Sequence, residues 1–175
     1  MKRIMLAIVI VVAATLGVAI PTARADTDTL RIKVDGSQGY EFEVTTDQSV
    51  VIFWRWVVCP RGQDQAFLRA VNENYHELDS TALFTSLEDA NQHWGPIQPL
   101  GIFPGVCKGG DILWVTFWEY DLGQLSLGTH NLHSSAGLAH RLTDPGGNID
   151  PGKPPFYNGN LFVSDITITV VAAGP

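Results

Sequence analysis

Apolar and polar side chains alternate one for one along stretch after stretch of this chain, the period of a half-buried β-strand. In Leu30 to Val34 the apolar residues Leu30, Ile32 and Val34 are separated by Arg31 and Lys33. After the Asp35-Gly36 turn signal, Tyr40, Phe42 and Val44 alternate with Glu41 and Glu43. Ile166, Ile168 and Val170 alternate with Thr167 and Thr169 near the end. Two further runs, SVVIFWRWVV from Ser49 and ILWVTFWEY from Ile112, are apolar on both parities over much of their length and read as central strands covered on both sides. Six or more such strands, separated by Gly, Pro, Asn and Asp, predict an all-β, antiparallel β-sandwich with one or two short helices in its connections. Arg31 and Lys33 are then expected to face Glu41 and Glu43 across a first hairpin.

Two segments leave the β pattern. Phe67, Ala70 and Val71 recur at helical spacing within 63–74, and Ser86-Leu87-Glu88-Asp89 has the form of a helix start with a capping side chain and a carboxylate three residues on. Between them, Tyr75 to Phe84 is centred on Asp79-Ser80 and predicts a hairpin.

At the N-terminus Lys2 and Arg3 precede an unbroken apolar run, Ile4 to Ile20, followed by Pro21 and Ala23-Arg24-Ala25. This is the pattern of a secretory signal peptide, so residues 1–25 are expected to be removed and 26–175 to form one domain. The product is expected in a secreted, periplasmic or other extracellular setting, without stable membrane insertion. Losing Lys2, Arg3 and Arg24 leaves 8 basic residues against 18 acidic ones. Such a balance argues against nucleic acid, whose phosphates need clustered cations. Two cysteines remain, Cys59 and Cys107, and in an exported chain an even pair reads as a disulfide.

Three of the five histidines fall in GTHNLHSSAGLAH, residues 128–140. On a regular strand His130 shares a face with Leu132, Ser134 and Ala136, whereas His133 points the other way. The form Leu125-x-x-Gly128-x-His130 resembles the turn feeding a late strand of many immunoglobulin-like sandwiches, where a tyrosine stands in the place of His130. The resemblance covers about six residues and implies an immunoglobulin-like arrangement, with His130 a core or corner residue bonded to backbone.

Signatures of hydrolases, metalloproteases, phosphate loops and dinucleotide sites are missing from the sequence. The expectation is a non-catalytic binding, interaction or structural module without a cofactor, with an unidentified protein or glycan as partner. Its binding residues are sought in the Gly/Pro-rich apolar segment 92–110, which carries Trp94 and Phe103, and at Tyr157. The competing expectation is an exported carbohydrate-active or metal-assisted enzyme. It requires His130, His133, His140, Asp144 and Asp150 to converge on one centre.

Overall fold

The computed structural model describes residues 29–59, 61–103, 105–107, 111–143 and 156–174. In chain order the elements are β1 (Thr29–Lys33), β2 (Glu41–Thr45), β3 (Ser49–Val58), α1 (Arg61–Ala70), β4 (Val71–Leu78), β5 (Thr81–Ala82), α2 (Leu87–Asn91), β6 (Gln98–Gly101), β7 (Leu113–Gly123), β8 (Gly128–Thr143) and β9 (Phe156–Val171). They form two sheets, one of order β1-β3-β7-β6 and one of order β2-β9-β8-β4-β5. The β-rich sandwich read from the alternation is therefore present.

The sheets are mixed, which corrects the expectation of a purely antiparallel sandwich. β1 runs parallel to β3 and β2 runs parallel to β9. The cause is a change of sheet at residues 34–40. Val34 donates to Phe53 O in one sheet at 2.9 Å, and Thr167 in the other donates to Tyr40 O at 2.8 Å. The turn depends on Gly36 at φ 71°, whose missing side chain leaves the space occupied by the Tyr40 ring. Arg31 and Lys33 consequently never meet Glu41 and Glu43. Arg31 pairs with Glu119 and lies 5.0 Å over the Phe53 ring, while Lys33 pairs with Asp35 at 2.7 Å. Alternation settles which face a strand buries, and it is blind to whether the following strand pairs with it or crosses to the opposite layer.

A second correction concerns the helix expected over 63–74, which ends at Ala70. Val71 opens β4 and pairs with Leu138 of β8, so pairing with a neighbour overrides local helical spacing. α1 closes one end of the sandwich through Phe67, fully buried and stacked on Trp56 with centroids 4.1 Å apart. Trp54 meets Phe67 edge-on at 5.7 Å, and Ile32, Ile52, Trp118, Leu132, Ile166 and Ile168 complete the buried centre. These aromatic contacts stabilise beyond the area they bury.

The Cys59–Cys107 disulfide forms, with Cα atoms 5.5 Å apart. It fastens the end of β3 to the long connection and, with Val106, covers Val57 and Leu113 on the outer side of the first sheet. That explains why β3 and β7 are apolar on both parities. The connection also contributes β6, an edge strand paired with β7.

Candidate functional site

The histidines of β8 separate as strand parity requires. His130 sits at the strand's start, its Nε2 2.8 Å from Ser126 O and its Nδ1 2.6 Å from Asp79 Oδ2. The bond to Ser126 runs back to the backbone four residues upstream. His133 faces outward, Nδ1 2.7 Å from Asp165 Oδ1. His140 is exposed further along β8, and Asp144 and Asp150 lie outside the described residues. The described part of the proposed centre is thus divided into separate one-to-one contacts. Among the described residues no three His, Cys, Asp or Glu side chains are grouped to hold a metal ion.

Of the three expected binding residues, two have described side chains. Trp94 packs into the aromatic layer, 4.6 Å from Trp54 and 5.3 Å from Phe67. The side chain is half-buried there. Phe103 is exposed beside Ile102, and the side chain of Tyr157 lies outside the described residues.

A network missed in the sequence occupies the inner face of β4. His76 is 1% exposed, stacked on Trp118 at 4.1 Å, with Nδ1 3.0 Å from Ser134 Oγ and Nε2 2.9 Å from Asn74 Oδ1. Because the Asn74 carbonyl oxygen only accepts, Nε2 carries the proton and Nδ1 accepts from the Ser134 hydroxyl. Asn74 Nδ2 passes the chain on to Asn91 Oδ1 at 3.1 Å, and Trp118 Nε1 donates to Ala90 O at 2.6 Å. Burial, and secondarily His133, hold the His76 pKa down to about 3, so the ring is neutral. The serine–histidine–asparagine order looks like a nucleophile relay, but Ser134 is 0% exposed and no substrate reaches it. The network holds α2 against β4. Its signal was readable in VNENYHEL, where strand parity sets Asn74 and His76 on the face of Leu78.

Against this network, at the edge of the second sheet, lies a recess of about 410 Å³. Ala82, Phe84 and Leu87 supply an apolar wall, while Asn72 and Glu73 supply a polar side. The wall is well fixed. The β4–β5 turn places Asp79 and Ser80 at φ 50° and 62°, the left-handed pair that a two-residue hairpin requires. Ser86 caps α2 by accepting from Asp89 N at 3.1 Å, and Asp89 Oδ2 accepts from Thr85 N at 3.1 Å. Phe84 meets the Tyr120 ring at 4.8 Å and the His93 ring at 5.1 Å.

A smaller recess of about 240 Å³ lies on the outer face of the same sheet, along the cross-strand row Glu77, His133, Asp165. Glu41 and Glu43 also point outward from this sheet. The face is acidic and polar.

No family model matches the chain, and no curated protein matches it. Among solved structures, the one titled "Solution Structure of Amebosin" aligns with 81% of this chain and 96% of that one at 7% identity and a TM-score of 0.27. An overlap that loose carries no statement about fold or function.

Proposed function

We propose that this chain is an exported, non-catalytic binding module whose ligand enters the recess formed by β4, β5 and α2. The observation that carries the reading is the pairing of a preformed apolar wall, Ala82, Phe84 and Leu87, with polar groups at Asn72 and Glu73 in a volume of about 410 Å³. Concave sites of roughly 300 to 1,000 Å³ with an apolar lining and a few placed polar groups are what small ligands and partner side chains occupy. Export is supported by the signal-like N-terminus and by the disulfide, which persists in oxidising compartments. A non-catalytic role is supported by the sealed position of Ser134 and by the commitment of His130 and His133 to one carboxylate each.

The test is a ligand screen followed by amide NMR, using neutral monosaccharides, small amines and short peptides. Ligands of this module shift the amides of residues 72–87, and Ala82→Trp, which fills the recess from exposed β5, abolishes the shifts. A library that leaves those amides unmoved overturns the reading.

A further inference from the structure

The corner between β7 and β8 has a glycine at positive φ at each end. Gly123 closes β7 at φ 69° and Gly128 opens β8 at φ 127°, angles that glycine adopts without strain. Between them run Gln124, Leu125, Ser126 and Leu127, the last 63% exposed. Ser126 offers His130 two different groups. Its carbonyl oxygen lies 2.8 Å from Nε2, and its hydroxyl Oγ lies 3.5 Å from the same nitrogen. The other ring nitrogen, Nδ1, is 2.6 Å from Asp79 Oδ2. A carbonyl only accepts, whereas a hydroxyl also donates. Which group of Ser126 suits the ring therefore depends on whether Nε2 carries a proton.

We propose that Ser126 and His130 form a proton-operated switch in this corner: the imidazolium holds the Ser126 carbonyl, and the neutral ring takes the Ser126 hydroxyl in its place, the chain turning about Gly123 and Gly128. Asp79 sets the tautomer of the neutral ring. Its carboxylate only accepts, so the one remaining proton stays on Nδ1, in a charge-assisted bond stronger than a neutral bond to a carbonyl. Nε2 then presents a lone pair to the lone pairs of Ser126 O, with no hydrogen between them. The Ser126 hydroxyl supplies that hydrogen once the corner turns. The other hydrogen bonds that fasten the corner, Gly123 N to Asp121 Oδ1 at 2.8 Å and Gln124 Nε2 to Asp47 O at 3.2 Å, lie at its β7 end, and Leu125 packs on the core. The Ser126 carbonyl itself is held by His130.

The charges around the ring fix the direction of the switch. Asp79, from the β4–β5 turn, is the charged group in contact with the ring among the described residues, and residues 124–127 carry no charge. On β9 the strand partner of His130 is Ile168, flanked by the uncharged Thr167 and Thr169. Asp121 and Asp47, which touch the β7 end of the corner, add negative charge and no cation. The Ser126 carbonyl first, and Asp79 next, raise the His130 pKa above its ordinary 6.5. The corner is therefore carbonyl-bound at and below pH 6.5 and turns to the hydroxyl-bound form as pH climbs through the raised value.

NMR of the purified protein from pH 5 to pH 9 tests the switch, with long-range nitrogen–proton spectra following the His130 ring and amide spectra following residues 124–128. The expected result is that the amides of Ser126, Leu127 and Gly128 shift with the same midpoint as the ring, and that the neutral ring carries its proton on Nδ1. Ser126→Ala keeps the carbonyl and deprives the neutral ring of its replacement donor, so the midpoint rises. Asp79→Asn removes the charge beside the ring while keeping a residue that tolerates the left-handed turn, so the midpoint falls. Unmoved amides along β9 report that each variant folds. A neutral ring protonated on Nε2 retains the carbonyl and overturns the switch. Corner amides that stay still through the titration of the ring overturn it too, as does either variant whose midpoint fails to move in its stated direction.

Discussion

Asp79 Oδ2 and His130 Nδ1 are 2.6 Å apart, and the other ring nitrogen of His130 is 2.8 Å from Ser126 O. A neutral imidazole has one N–H, so a ring with a carboxylate on one side and a carbonyl on the other satisfies both only as imidazolium. The contact joins the β4–β5 turn to the corner before β8, and Asp79 Oδ1 also accepts from Asn131 N at 2.8 Å. The hairpin that walls the recess is thereby pinned to the longest strand pair of the molecule.

The Ser126 carbonyl and then Asp79 raise the His130 pKa above its ordinary 6.5, and His130 holds the Asp79 carboxyl below its ordinary 3.8. A raised histidine contributes stability in full below pH 6.5 and loses it as pH climbs through its raised value; the lowered carboxylate contributes above pH 3.8 and loses it as pH falls. Wild-type protein should thus soften above about pH 6.5, and His130→Ala should cost roughly 1 to 3 kcal/mol at pH 6 with a smaller loss at pH 9. Thermal melts of both proteins across that range decide. An equal penalty at both pH values means the ring is neutral throughout.

His76 carries the opposite dependence. Its pKa is depressed to about 3, chiefly by burial, so its contribution is present above pH 6.5 and lost as pH falls through the depressed value. Long-range nitrogen–proton NMR at pH 5 should show the tautomer protonated at Nε2, with no titration near 6.5. His76→Leu should destabilise by roughly 2 to 4 kcal/mol, since it orphans Asn74 and Ser134 inside the sandwich. Titration in the ordinary histidine range would show that water reaches the ring.

Strand faces were legible from the sequence because a period of two is a local property. It placed Ile32, Leu132, Ile166 and Ile168 inward, and all four are fully buried. The Asp79-Ser80 turn and the Ser86 cap were legible for the same reason, each resting on a few adjacent residues. Parity also separated His130 from His133. Sheet membership was not legible: whether the chain after Asp35-Gly36 folds back or crosses over depends on Phe53 and Thr167, both distant in sequence. The recess is not legible because its lining comes from β4, β5 and α2 with no motif. The contacts of Trp94 with Trp54 and Phe67 were not legible either, since nothing local in the sequence reveals them.

The Cys59–Cys107 bond closes a long loop and seals the outer side of β3 and β7 over Leu113 and Val57. On the loop-closure model its reduction should cost roughly 4 kcal/mol. Melting with and without reductant should show the drop, while alkylation of the native protein should label neither sulfur. Labelling of both would mean that the bridge is absent in solution.

Asp64 provides the last test, since its carboxyl is 0% exposed and neither oxygen has a hydrogen-bond partner among the described residues. It stands in the first turn of α1, one turn before the buried Phe67. Burial raises its pKa from 3.8 to about 7. The folded state therefore prefers the protonated acid: its contribution is complete below pH 3.8 and declines until pH passes about 7, beyond which the buried charge is fully formed. The positive end of the α1 dipole favours the carboxylate and offsets part of this, leaving a penalty on the order of 2 kcal/mol. Asp64→Asn has no proton to lose and should flatten the fall in stability between pH 4 and pH 7, ending more stable than wild type at pH 8. Urea titrations at three pH values measure it, and the window lies below the one assigned to His130. If the two proteins lose stability in parallel across that range, Asp64 is ionised throughout and a counter-charge or water must reach it.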